Sequence, residues 1–342
     1  MNHFRGFLLA IGRVATKATA DALSRYASAD FIRWNDSAKI MASPLYFFHT
    51  ARRPFILTQH EQNLEAMSAI LAELPASPIV YTVREPIAHL HSMAKTLLTM
   101  HVCHNFEATS LRIARGQSVV ELLLPHIEQW TSFIDYMRRF RAIERYQKLV
   151  LDISDFSQSR FAGTIEDICD MFGAPCKAPV SWDGLANSAA DTFFNHYRMP
   201  LSLLDREMIL AFTAQPVEAS YNALPGNLLP LGQVVLEGLE GLLGPSAPIH
   251  VHAAAPTMLS YSELHREQDS FAALVSHPGI RQSLASKILG DYQTVETIVA
   301  AEQDALAALM IDCYHQRYEP DMQLFVDANP AIADKWQTAR AA

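Results

Sequence analysis

The chain reads as an α/β protein: a parallel sheet flanked by helices, with an additional α-helical region at the C-terminus. Three observations predict this. Short apolar runs recur through the first half of the sequence, and several are followed by a helical pattern. The sharpest of them, Pro78-Ile-Val-Tyr-Thr-Val83, stops abruptly at Arg84-Glu85-Pro86. From about Ser260 onward the spacing is helical almost throughout.

The elements follow in order. Phe7-Leu-Leu-Ala-Ile11 suits a buried strand, and Gly12-Arg-Val-Ala-Thr-Lys17 a turn that opens an Ala-rich helix reaching Leu23. A helix N-terminus with a cation and hydroxyls nearby is a ready anion cradle. Here Gly12 supplies the turn, Arg13 and Lys17 the charge, and Thr16 and Thr19 the hydroxyls. Phe55-Ile-Leu57 is a second short strand, with His60 at its C-terminal edge and a helix expected from Glu61 to Leu74. Imidazole, with an unperturbed pKa of about 6.5, suits a general base, although His60 capping that helix is an equally simple role.

Pro78 to Val83 is the next strand, with Pro86 suited to the first turn of the following helix. Arg84 falls at the carboxyl edge of the sheet, where open α/β folds bind ligands. Ser92 follows eight residues later, about two turns into the helix. A guanidinium fork and a hydroxyl together make donors for a phosphate. Lys148 to Asp152 is a further strand, and Thr164 to Gly173 a further helix. Asp152 and Asp155 are expected to cap a helix or bind an arginine.

Four of these segments, in this order, resemble the PAPS-dependent sulfotransferase family, whose members use 3′-phosphoadenosine-5′-phosphosulfate. The strand-Arg84-x-Pro86 run with Ser92 is similar to the family's 3′-phosphate segment. Arg13-Val14-Ala15-Thr16-Lys17 is similar to its 5′-phosphosulfate loop, Lys/Arg-Ser-Gly-Thr-Thr/Ser, with Val14 and Ala15 in place of serine and glycine and Lys17 in place of the second hydroxyl. Thr58-Gln59-His60 matches a Lys-Thr-His element while keeping only the histidine. The strand ending near Asp155 and the helix ending in Phe172-Gly173 match two later segments. The resemblance covers about residues 5 to 175 and implies a P-loop-type fold, PAPS as co-substrate and no metal. It further implies His60, Arg13 and Lys17 as catalytic residues. Gly12, Arg13, Val14, Ala15, Thr16, Lys17, Arg84 and Ser92 would bind the nucleotide, and the acceptor would be a small-molecule or carbohydrate hydroxyl.

Composition bounds the class. With 342 residues, 50% of them hydrophobic and 18% charged, the chain has ample core for one large or two medium domains. A net charge of −9 argues against a general nucleic-acid surface. No stretch approaches the roughly 20 apolar residues of a membrane span, and the first apolar run is short for a secretory leader. The four cysteines lack C-x-x-C spacing and suit a reducing cytoplasm. His89, His91, His101, Cys103 and His104 cluster in sequence, but His101-Val-Cys103-His104 is too compact for a structural zinc site.

Beyond residue 180 the expectations are a loop from Trp182 to Pro200, helices at Leu201–Thr213 and Leu231–Leu243, and an extended linker or edge segment at Pro245–Pro256, with one imidazole face of His250 and His252 exposed. Helices are then expected near Tyr261–Val275, Gly279–Leu289, Tyr292–Arg317 and Pro320–Ala328, before a low-complexity tail from Thr338. The implied domains are 1–245 and 257–338. The C-terminal helices offer a surface to cover the substrate cleft, to pair two subunits or to dock a carrier protein. Two other functions fit the same residues. One is an ATP-dependent small-molecule phosphotransferase with Asp152 or Asp155 holding magnesium, and the other is a non-catalytic relative that binds partners.

Overall fold

The computed structural model describes residues 3–9, 16–33, 54–59, 64–182, 189–203, 206–213, 228–239, 242, 249–254, 266 and 268–341. Five strands form one parallel sheet: β1 (Phe4–Leu9), β2 (Asp30–Arg33), β3 (Phe55–Gln59), β4 (Ile79–Val83) and β5 (Lys148–Asp152). Their order is β2-β3-β1-β4-β5. The helices of eight residues or more as far as Met171 are α1 (Thr16–Tyr26), α2 (Leu64–Glu73), α3 (Pro86–His104), α4 (Phe106–Ala114), α5 (Tyr136–Ile143) and α6 (Phe161–Met171). Gly12 to Ala15, on which a P-loop-type reading depends, lie outside the described residues.

Every residue of β4 is buried, because helices cover both faces of the sheet. On one face Leu8, Val80 and Leu151 pack with Ala22 and Leu23 of α1 and with Phe161, Ile165 and Ile168 of α6. On the other, Tyr81 meets Tyr136 edge-on at 6.3 Å between ring centres.

Gly6 decides how the centre of the sheet closes. Its φ is +146°, and a Cβ there would lie 2.4 Å from the Pro78 carbonyl oxygen and 2.6 Å from the Phe172 ring. The register between β1 and β3 shifts at the same place, between Phe4 and Gly6. Only glycine fits.

The chain divides into two contact units. One comprises Met1–Met93, Pro125–Ala186 and Ala307–Ala342, the other Ala94–Leu124 and Asn187–Leu306. The first unit holds the parallel sheet. It also holds α10 (Glu319–Ala328) and α11 (Pro330–Ala341), which follow α8 (Gln268–Val275) and the 40-residue α9 (Pro278–Arg317). Two helices were expected where α9 runs unbroken, since one interior glycine, Gly290, costs only about 1 kcal/mol. The tail expected from Thr338 is helical as far as Ala341.

The second unit departs most from the sequence reading. It contains an antiparallel sheet of β6 (Arg198–Leu203), β7 (Arg206–Thr213), β8 (Leu228–Val234) and β9 (Ile249–Ala254), in the order β6-β7-β9-β8. The helices expected at Leu201–Thr213 and from Leu231 are strands here. The described part of the expected linker is an interior strand, with His252 buried. The expected loop before Pro200 contains α7 (Ala189–His196). Phe193 stacks on Tyr197 at 4.6 Å, and Tyr197 stacks in turn on Phe212 at 6.1 Å, joining α7 to the sheet. His104 Nε2 and His196 Nδ1 are 3.2 Å apart. One imidazole must donate to the other, so two charged rings are incompatible with the contact.

Two outcomes follow from this packing. Gly6→Ala should destabilise the protein by about 2–4 kcal/mol, because either the Pro78 backbone or the Phe172 ring must move. A urea denaturation midpoint unchanged from wild type would contradict it. Burial, then the neighbouring histidine, then Arg198 push His196 down to about 4, and burial, His250 and Arg198 do the same to His252. Both folded values lie below the unfolded 6.5. Their contribution is therefore complete above pH 6.5 and is lost as pH falls from 6.5 towards 4. Thermal melting between pH 7.5 and 4 should show that decline, and His196→Gln should reduce it.

Candidate functional site

The strand order creates one crevice in the parallel sheet. From β1 the chain proceeds to β2 and β3 on one side, then crosses to β4 and β5 on the other. The switch point lies between β1 and β4, and ligands of open α/β sheets bind outside the carboxyl ends at such a point. Leu9, the last residue of β1, pairs with Gln59 of β3 and with Tyr81 of β4. Adjacent strands are about 4.8 Å apart, so β3 and β4 flank β1 within about 10 Å of each other, and β4 runs two residues further before it leaves the sheet. The next segments in sequence carry His60, Gly12 to Lys17, and Arg84.

Of the expected site residues, Arg84 and Ser92 are fully described. Thr16 and Lys17 form the first turn of α1. Gly12, Arg13, Val14, Ala15 and His60 lie outside the described residues, as do His49, Arg52 and Arg53.

Arg84 is held through its backbone. Glu85 precedes α3, and its buried carboxylate accepts the Ala88 N–H at 2.7 Å, with Pro86 opening the helix as its sequence suggested. The Tyr136 hydroxyl donates to the Arg84 carbonyl at 2.9 Å and accepts the Arg84 N–H at 3.3 Å. His89 Nδ1 meets the same hydroxyl at 2.6 Å. Tyr81 completes the network by donating to the Tyr136 carbonyl at 3.3 Å. Burial raises the Tyr136 pKa well above its ordinary value, so the phenol stays neutral. Partial burial draws the Arg84 guanidinium downward, opposed by Tyr136, Asp152 and Glu85. A partly desolvated guanidinium gains more from an incoming anion than a solvated one does.

Asp152 and Asp155 form the capping box expected of them, around Ile153–Phe156. Asp152 accepts the Ser154 N–H at 2.9 Å and the Trp336 indole N–H at 2.7 Å. Asp155 accepts the Asp152 N–H at 2.9 Å, and Lys335 donates to its two oxygens at 2.7 and 2.6 Å. The Arg160 guanidinium lies 3.4 Å away. The buried Asp152 pairs with Val83 across the sheet, so α11 is tied to the edge from which Arg84 leaves.

Two features escaped sequence reasoning. Nothing marks Tyr136 as the clamp on Arg84, since the bond spans 52 residues. Nothing marks Trp336 or Lys335 as partners of β5. Among the described residues no group of three or more His, Cys, Asp or Glu is arranged to hold a metal ion. None of the described helices is long and apolar enough to cross a membrane. A described cleft of about 510 Å³ opens at the opposite, amino edge of the sheet, between Phe4, Pro78, Gln147 and Phe172. It contains neither the switch point nor Arg84.

No family model matches the chain, and no curated protein matches it. Among solved structures, the sulfotransferase from Alicyclobacillus acidocaldarius aligns with it. The alignment covers 54% of this chain and 88% of that one, at 11% identity and a TM-score of 0.33. Similarity at that level does not decide a fold. The mixed α/β assignment rests on the strand order and the parallel register.

Tyr136→Phe keeps the ring and removes the hydroxyl. It should cost about 1–3 kcal/mol, because the part-buried N–H and carbonyl of Arg84 lose the Tyr136 hydroxyl. Stability equal to wild type in urea would show that the clamp contributes nothing.

Proposed function

We propose that this protein transfers a sulfuryl group from PAPS to a hydroxyl of a small-molecule or carbohydrate acceptor. The observation that carries the reading is the adjacency of three strands, β3, β1 and β4. The segments bearing His60, Gly12 to Lys17, and Arg84 to Ser92 follow these strands in sequence, at the switch point of the parallel sheet. The sulfotransferase resemblance of the same segments supplies the chemistry.

In this scheme Arg84 and Ser92 hold the 3′-phosphate, with Tyr136 and Glu85 fixing the turn that presents Arg84. The N-terminus of α1, with Arg13, Thr16 and Lys17, receives the 5′-phosphosulfate. The sulfuryl group passes in line between two oxygens, so catalysis is mainly positioning and charge stabilisation. His60 takes the acceptor proton. Arg13 and Lys17 neutralise the charge that develops on the departing bridging oxygen.

The occupied carboxylates disfavour the ATP-dependent alternative. Asp152 and Asp155 would have to bind magnesium, yet Asp152 accepts from Trp336 and Ser154, and Asp155 from Lys335 and the Asp152 backbone.

Calorimetry with adenosine 3′,5′-bisphosphate and AMP tests the nucleotide site. Loss of the 3′-phosphate should weaken binding about ten- to a hundredfold, and Arg84→Ala should erase that difference. Equal affinities in the wild-type protein would overturn the assignment. His60→Gln, which cannot take up the proton, should lower turnover about 10²–10⁴-fold with nucleotide affinity little changed. Near-normal turnover would transfer the role to another residue, with His49 the next to test.

A further inference from the structure

Thr82 lies one residue before the end of β4, fully buried, and its hydroxyl has no hydrogen-bond partner among the described residues. Buried hydroxyls in native proteins nearly always have one. The position of this one gives it meaning. Side chains alternate along a strand, so Thr82 faces the same side of the sheet as Val80. Val80 packs in one cluster with Ala22 and Leu23 of α1.

Two residues along the strand advance about 6–7 Å towards the carboxyl edge. The same distance along a helix is about four residues, at 1.5 Å each. Thr82 therefore lies level with the first turn of α1, around Thr16 to Thr19. Its strand neighbours agree. Leu9 pairs with Tyr81, so β1 has ended by the level of Thr82, whereas β5 still flanks it through Leu151. The hydroxyl thus sits beside the departure point of the chain from β1 towards α1. The eleven-residue α1 offers backbone N–H groups there, suited to an anion.

We infer that Thr82 donates its hydroxyl to an anionic oxygen at the 5′ end of the bound nucleotide, beside the N-terminus of α1. The inference rests on the proposed nucleotide reading and adds to it a residue that no sequence motif marks. It also explains why a polar side chain occupies an otherwise apolar strand, Ile79-Val80-Tyr81-Thr82-Val83. In the free protein the hydroxyl is a liability, and in the complex it is a ligand.

That dual character gives the test two signs. Thr82→Val removes the orphan hydroxyl at nearly constant shape. The free variant should therefore melt a few degrees higher than wild type, while binding adenosine 3′,5′-bisphosphate about ten- to a hundredfold more weakly. Thr82→Ser should retain wild-type affinity. Adenosine 3′-monophosphate, which lacks the 5′-phosphate, should bind the valine variant and wild type equally. A lower melting temperature for the valine variant would mean that the hydroxyl has a partner within the protein, and would overturn the inference. So would unchanged affinity of that variant for the bisphosphate when wild type binds it. Failure of wild type to bind the bisphosphate at all is a different result, which overturns the nucleotide reading and the Thr82 assignment with it.

Discussion

β1 and β4 pair at the centre of the parallel sheet, and the close approach depends on a residue with no side chain. At Gly6 the Pro78 carbonyl and the Phe172 ring occupy the space a Cβ would need. The pairing that results sets Leu9 opposite Tyr81 and fixes where the two chains leave the sheet. The switch point, the burial of Thr82 and the departure of Arg84 from the edge all follow from that register. A one-residue slip would turn Tyr81 and Thr82 to the wrong faces.

Rigidity at this edge comes from a buried polar network. One phenol satisfies both backbone groups of Arg84 and meets His89, and the aromatic rings of Tyr81, Phe325 and Trp336 surround it. The C-terminal helix contributes directly, through Trp336 on Asp152 and Lys335 on Asp155. Such a network fixes the backbone of Arg84, which under the proposed reading lowers the ordering cost of binding an anion there. It also ties α11 to the end of β5, an outer strand of the parallel sheet.

The centre of the parallel sheet was legible because β4 is buried on both faces and reads as an unbroken apolar run, Ile79 to Val83, whereas β2, Asp-Phe-Ile-Arg at residues 30–33, carries no such run and was not expected. Pro86 and the capping role of Asp152 and Asp155 were legible because helix ends obey local rules. The antiparallel sheet was not. Leu201, Leu204, Met208 and Phe212 recur at steps of three and four that mimic a helix over a short stretch, and strand pairing is decided by partners far along the chain, as in Ala211 against His252. The histidines from His89 to His104 looked like a local cluster, but they are spread along one helix. His89 turns to Tyr136 and His104 to His196. Arg84 and Ser92 were read from local pattern alone, whereas the clamp on Arg84 arises only in three dimensions.

The central claim is that a nucleotide with a 3′-phosphate binds at the carboxyl edge of the parallel sheet. Amide hydrogen exchange of the whole chain, with and without adenosine 3′,5′-bisphosphate, tests this most directly. The account predicts slowed exchange at the start of α1 and from Val83 through the first turns of α3, with the amino edge near Phe4 and Pro78 unchanged. Protection confined to the amino edge, or to the antiparallel sheet, would contradict it.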